Sequence, residues 1–324
     1  MTPEGASPFA QTPEGVSPGC ENASAYHYAV YVESWKDPQA ASAEDSHISS
    51  YPAYADYLLL SYMLPDATYN GGMTFEGTGL QFSSSATVVK GAMDLLKLKH
   101  PGTKFLVTVG GPTYNNWQAL NPAAVAKFVK EFGLDGVVID YVPVFSECKE
   151  DGDKIKCSTD DEYVSAIRSL RKALPDGSTL ATSVPHVGAY GLGEWKNAPP
   201  KSKYTGMAIR PLEEAGGDLN FVMIKSYDAG NSFDPKEALN AYLNHFTGDI
   251  LLGVEVAPEA CEGRDISLEE VDSLTAHVEA KRAAGMVLFG AYKIAKPGTP
   301  TGKDISERIC QNLGLKGCGG STKC

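Results

Sequence analysis

Eight short apolar runs rich in β-branched and aromatic residues alternate along this chain with stretches of helical periodicity. The alternation restricts the fold more than any other feature, because a β-rich run followed by an amphipathic helix is one unit of a parallel sheet covered by helices. The runs are "YAVYV" (28–32), "YLLLSYM" (57–63), "KFLVTVGG" (104–111), "GVVIDYV" (136–142), "TLATSVPH" (179–186), "NFVMIKSYD" (220–228), "ILLGVEV" (250–256) and "GMVLFGAY" (285–292). The helical patterns between them are "ATVVKGAMDLLKLK", "NPAAVAKFVKEFG", "TDDEYVSAIRSLRKAL", "DPKEALNAYLNHF", "SLEEVDSLTAHVEAKRAAG" and "DISERICQNLG". Several open on Asn, Asp or Ser, side chains that cap a helix N-terminus, and proline stands in the first turn of "NPAAVAKFVKEFG" and "DPKEALNAYLNHF". Eight such units in 324 residues predict an α/β protein with a single closed (β/α)8 TIM barrel rather than an open doubly wound sheet. No G-x-G-x-x-G follows the first run, and the later "VGGP" lacks the dinucleotide-binding pattern.

The ends read differently. The chain begins with a tandem decapeptide, "TPEGASPFAQ" then "TPEGVSPGCE", too poor in apolar residues to offset its ordering entropy. Residues 1–24 are therefore expected to form a flexible Pro/Gly/Ser-rich tail, residues 25–314 the barrel, and residues 315–324 a Cys/Gly-rich C-terminal tail pinned by cysteines. A net charge of −12, with no Lys/Arg cluster interleaved with aromatics, argues against a nucleic-acid partner. No run approaches the length of a membrane span.

None of the seven cysteines (Cys20, Cys148, Cys157, Cys261, Cys310, Cys318, Cys324) falls in a CxxC pair, so no metal site is expected and no cofactor is implied. "CKEDGDKIKC" reads as a charged loop that a Cys148–Cys157 bridge would close, which favours an oxidising, extracellular compartment. The odd count leaves one thiol over. Asn22-Ala23-Ser24 is an N-x-S/T sequon. No basic region followed by an apolar core opens the chain, so a secreted protein of this sequence has already lost its signal peptide.

In a barrel of this kind the working residues stand at the C-terminal ends of the strands. On the fourth run, alternation puts Val138, Asp140 and Val142 on one face and Val137, Ile139 and Tyr141 on the other. A carboxylate among valines is costly unless it is protonated, paired or open to a pocket, so Asp140 is either a pocket residue or a paired structural one. Asp135 precedes the strand, where capping a turn is its expected task.

The pattern is informative beyond the strand. "FGLDGVVIDYV" resembles the fourth-strand signature D-G-x-D-x-D-x-E of the chitinase-like glycoside hydrolase family 18. The resemblance implies a final Glu that protonates the glycosidic oxygen while the substrate's own N-acetyl group acts as nucleophile. Position by position, Asp135 and Asp140 are retained, the middle Asp is Val138, and the catalytic Glu is Val142. "KFLVTVGGPTYNNW" resembles the family's third-strand S-x-G-G segment with Thr108 for Ser. "DLNFVMIKSYD" is similar to its sixth-strand M-x-Y-D segment, with Lys225 two residues after Met223 and Tyr227-Asp228 two residues late. Phe289 stands where the family usually has the tryptophan that floors the sugar site. The resemblance runs through most of residues 26–313.

Valine holds no proton, so the general acid that the resemblance implies is missing from its place, and Phe289 lacks an indole N–H. The catalytic set is thus degenerate at Val138 and Val142. Glu255, Glu33, Asp228 and Glu147 are the nearest carboxylates that topology offers as substitutes, each read first as a solvated loop charge or a salt-bridge partner. Lys225 is expected to pair with Asp140 across the barrel rather than serve as a nucleophile. Candidate ligand-binding residues are Trp35, Trp117, Asp140, Tyr190, Trp195, Lys225, Tyr227, Asp228 and Phe289, the aromatic ones because ring faces stack on sugars.

These readings lead first to a catalytically inactive chitinase-like protein that binds chitin or other N-acetylglucosamine-containing glycans. The alternative is a barrel scaffold acting through protein contacts as an inhibitor, storage, matrix or coat component. A glycosidase with a relocated carboxylate ranks third. An open aromatic cleft over the strand C-termini favours a lectin, and a mouth plugged by side chains favours a scaffold.

Overall fold

The computed structural model describes residues 26–260 and 263–318. The expected tail at 1–24, the sequon at Asn22, and Cys20, Cys261 and Cys324 lie outside the described residues.

All eight apolar runs are strands of one closed parallel barrel. In chain order they are β1 (His27–Glu33), β2 (Tyr57–Met63), β3 (Lys104–Gly110), β4 (Gly136–Asp140), β7 (Thr179–Pro185), β8 (Phe221–Lys225), β9 (Asp249–Glu255) and β10 (Gly285–Phe289). β5 (Lys149–Asp151) and β6 (Lys154–Lys156) form a separate antiparallel hairpin in the loop after β4. Each barrel strand pairs with its sequence neighbour, and β10 closes on β1.

Alternation divides every strand. Ala29, Tyr31, Leu59, Leu106, Val138, Ala181, Met223, Leu251 and Val287 fill the barrel interior. The intervening residues, such as Val30, Leu58, Val107, Ile139 and Leu252, face the helices and join the larger outer core. Both surfaces of the sheet are therefore buried, which is why the strands read as near-continuous apolar runs.

The six expected helices are present. They are α1 (Ala86–Lys99), α2 (Pro122–Phe132), α3 (Asp160–Ala173), α5 (Pro235–Tyr242), α6 (Leu268–Lys281) and α7 (Gly302–Leu313). Caps start most of them: Ser85, Asn121, Asp234 and Ser267 each accept a backbone N–H of the first turn, and Thr301 with Asp304 forms a capping box. One helix escaped the sequence reading, α4 (Ile209–Ala215), because seven residues with Pro211 near the start carry too little periodicity. Between β1 and β2 the connection holds only a short 3-10 turn, His47–Ser50.

The lower rim of the barrel is tied by side chains standing just before strands. Asp56 Oδ2 accepts the Tyr28 N–H at 2.9 Å, Asp135 Oδ2 the Phe105 N–H at 2.8 Å, and Asn220 Oδ1 the Leu180 N–H at 2.8 Å. Asp135 also pairs with Lys97 at 2.8 Å. It thus ties strand to strand, where the sequence predicted a turn cap. Its neighbour Gly136 is required by close approach, since a Cβ there would lie 1.9 Å from the Thr179 carbonyl oxygen.

The Cys148–Cys157 bridge is present, and the segment it spans is a hairpin rather than a loop. Gly152, at φ +67°, allows the tight turn between Asp151 and Lys154. A second bridge, Cys310–Cys318, holds the chain beyond α7. No helix among the described residues is long and apolar enough to cross a membrane.

Candidate functional site

The C-terminal rim carries the polar residues, and the inward alternation of the strands turns them toward the barrel mouth. Glu33 pairs in register with Ser61, Gly110 with Asp140, Asp140 with Ser183, Pro185 with Lys225, and Glu255 with Phe289. Three carboxylates therefore converge on the barrel mouth, and each is held by its own lysine. Lys225 is ion-paired and hydrogen-bonded to Asp140 Oδ1. Lys36 lies 2.9 Å from Glu33, and Lys293 donates to Glu255 at 2.6 Å. Asp140 is 1% exposed and Glu255 and Glu33 are each 2% exposed. Ion pairing is what makes such burial tolerable, because an isolated carboxylate at these positions would lose its hydration with nothing in return.

Aromatic rings cover this layer. Tyr31 donates to or accepts from Ser183 across the barrel at 2.8 Å and meets Phe289 edge-on at 5.3 Å. Phe289 stacks on Tyr227 with centroids 5.6 Å apart and an interplanar angle of 11°. Trp35 stacks on Tyr62 at 5.4 Å. Burial drives the phenols of Tyr31, Tyr62 and Tyr227 well above their ordinary range, so none offers a proton acceptor at neutral pH. Tyr31 and Tyr62 were not picked out from the sequence, although the inward register of Ala29, Tyr31 and Glu33 was available as a signal.

Asp140 points inward with Val138. β4 stops at Asp140, two residues short of expectation, and Val142 lies beyond the strand, half-buried. β8 likewise stops at Lys225, so strand alternation does not extend to Tyr227. Both residues nevertheless reach the mouth, Lys225 through its ion pair and Tyr227 through Phe289. Asp228 sits at φ +55° and donates its backbone N–H to Glu259 Oε2 at 2.7 Å.

The remaining aromatic candidates are in the core. Trp117 packs against Tyr141 at 5.2 Å and is 3% exposed. Trp195 donates its indole N–H to Glu237 at 3.0 Å, and Tyr190 is fully enclosed. Trp35, 40% exposed, is the one tryptophan with a ring face at the surface.

Among the substitute carboxylates, Glu147 is exposed in the loop after β4, far from the paired layer in character. Glu255 differs. Burial lifts its carboxyl to about 7 even against Lys293, and burial lifts neighbouring Glu259 to about 7 as well. Glu255 therefore has the proton affinity of a general acid, but it is enclosed beneath the loops. No group of His, Cys, Asp or Glu among the described residues could hold a metal ion.

Of three cavities, two lie away from this mouth and one borders its Glu255. One of about 430 Å³ opens between the β5–β6 hairpin and the loop after β7. A very small one sits behind Glu255 and Glu259, and one of about 460 Å³ lies on the flank beside Trp117 and Glu162. None of the three is lined by Asp140, Tyr31, Tyr227 or Phe289.

No protein-family profile and no curated protein matches the sequence. Solved structures do. The chain superposes on an Ostrinia furnacalis group IV chitinase determined with allosamidin, at TM-score 0.61 and 11% identity, covering 89% of this chain and 99% of that one. It superposes on a fungal endo-β-N-acetylglucosaminidase of glycosyl hydrolase family 18 at TM-score 0.58 and 13% identity, covering 90% and 98%. The chitinase ChiC of Aspergillus fumigatus matches at TM-score 0.58 and 15% identity, covering 85% and 95%. At these identities the likeness is one of fold: the chain is a (β/α)8 barrel whose fold is similar to that of these solved glycosidases.

Proposed function

We propose that this chain is a non-hydrolytic, chitinase-like barrel of an oxidising, extracellular compartment that works through contacts with other proteins. The observation that carries the reading is the closed mouth. Asp140, Glu33 and Glu255 are each paired with a lysine, Phe289 and Tyr227 stack over them, and Val142 occupies the place of the general acid. Glycoside hydrolysis needs a proton donor within hydrogen-bond reach of the glycosidic oxygen, and Glu255, the carboxyl at the mouth that burial raises to about 7, is itself enclosed and bonded to Lys293. The two disulfides support the compartment.

A glycan-binding reading rests on one specific feature, the exposed face of Trp35 stacked on Tyr62 at the mouth. Calorimetric titration with chitooligosaccharides of increasing length, with product analysis of the same mixtures, separates the readings. The expected result is neither heat nor product. Saturable heat that disappears in Trp35→Ala would turn the assignment to a lectin, and released product would sink the non-hydrolytic reading altogether.

A further inference from the structure

The cleft of about 430 Å³ beside the β5–β6 hairpin has the opposite electrostatic character to the rest of the molecule. The chain carries 40 acidic residues against 28 Lys and Arg, yet Lys149, Lys196, Lys201 and Lys203 line this cleft against only Glu147 and Glu150. Lys196 neutralises Glu150 at 2.8 Å. Hairpin register sets Lys156, which does not line the cleft, directly opposite Lys149. Like charges facing each other across two strands destabilise the pairing. The adjacent Cys148–Cys157 bridge holds them together nonetheless. Beneath the charges the wall is rigid: Ile155 packs so closely on the loop after β7 that a Cβ at Gly191 or Gly206 would lie 2.5 or 2.6 Å from its Cδ1.

The rim of the cleft is apolar. Phe145, which lines it, is 71% exposed, and the preceding Val144 is 52% exposed. Surplus cations beside an uncovered aromatic and aliphatic pair match a ligand that brings both negative charge and an apolar side chain. An acidic peptide has both, whereas a sulfated saccharide has charge without an aliphatic group to cover Val144. We infer that this cleft docks an acidic segment of a partner protein, anchored by one apolar side chain against Val144 and Phe145. The inference rests on the reading that the barrel works through protein contacts, and it names the surface and the chemistry of the partner.

The test is a fluorescence-anisotropy titration of the full chain with a labelled peptide of glutamates interrupted by one phenylalanine. A heparin oligosaccharide and chitopentaose are run as separate arms. The peptide is expected to bind saturably, to weaken as salt rises, and to bind more tightly than the heparin fragment. The triple variant Lys149→Gln, Lys201→Gln, Lys203→Gln is expected to lose about tenfold in affinity, as is Phe145→Ser. All four side chains are at the surface, and an unchanged melting temperature confirms that the variants remain folded. Absent peptide binding, equal binding by the variants, or tighter binding of the heparin fragment would overturn the inference. Binding or cleavage of chitopentaose strikes instead at the protein-contact reading, so the two failures are told apart by arm.

Discussion

The barrel mouth and the hairpin cleft lie on the same C-terminal side of the barrel, and they handle charge in opposite ways. At the mouth Glu33, Asp140 and Glu255 each have a lysine, and Tyr31, Phe289 and Tyr227 pack ring on ring. At the cleft, lysines outnumber acids, one lysine faces another across the hairpin, and Phe145 stands in solvent. Lysine pairing answers one oxygen of Asp140 and one of Glu255 and leaves Asp140 Oδ2 and Glu255 Oε2 without a hydrogen-bond partner. The cleft offers surplus charge and uncovered apolar surface. The comparison teaches that the place where a related fold does its chemistry need not be the place where this chain meets other molecules, and that pairing is the physical criterion that tells them apart.

The comparison is broken most severely by unpairing the mouth. Lys225→Met leaves Asp140 buried without its cation and is expected to cost about 3–5 kcal/mol in denaturant unfolding. Adding Asp140→Asn to that variant removes the orphaned charge and is expected to recover most of the loss. A double variant as unstable as the single would show that the pair is not what holds the mouth closed.

Acidity probes the same layer. Burial raises Glu255 from 4.5 to about 7, so the folded state keeps a proton that the unfolded chain has released. The associated stability is fully present below about pH 4.5 and is lost as pH rises to about 7, a fall of roughly 3 kcal/mol for this carboxyl. Glu259, raised to about 7 by burial as well, contributes in the same direction. Glu255→Gln is expected to flatten part of the slope in a series of melting curves across this range, and an unchanged slope would contradict the assignment.

Removing the bridge sharpens the other side. With Cys148→Ala and Cys157→Ala, the facing lysines 149 and 156 are free to separate, and the hairpin is expected to lose up to about 2.5 kcal/mol of local stability. Hydrogen exchange should register this at Lys149–Lys156 while the barrel strands stay protected. The smallest effect is expected from Val142→Glu. It restores a carboxyl to a half-buried site outside the strand, with Val138 and Phe289 unchanged, so stability should shift within about 0.5 kcal/mol and a chromogenic chitooligosaccharide should remain uncleaved.

Much of the fold was legible because it depends on local pattern. Strand positions followed from apolar runs buried on both faces, and helix starts from Ser, Asn and Asp caps. The Asp140–Lys225 pair was also legible, since two charges on inward faces of apolar strands have few ways to be tolerated. The aromatic candidates were not. Trp117, Tyr190 and Trp195 sit in loops or short turns by sequence, and only packing decides whether a loop tryptophan faces solvent or the core. The hairpin escaped notice because "KEDGDKIK" is too polar and too short to read as strands.

By itself, then, the sequence determined the eightfold repeat and the Cys148–Cys157 closure, because each depends on residue identity or on periodicity along the chain. The tertiary structure alone decided that Glu33, Asp140 and Glu255 are each buried with a lysine at the barrel mouth, and that Tyr31 and Tyr227 converge on Phe289. Those contacts join residues from opposite sides of a closed barrel, and their distances are set by strand register and closure, which no local stretch of sequence encodes.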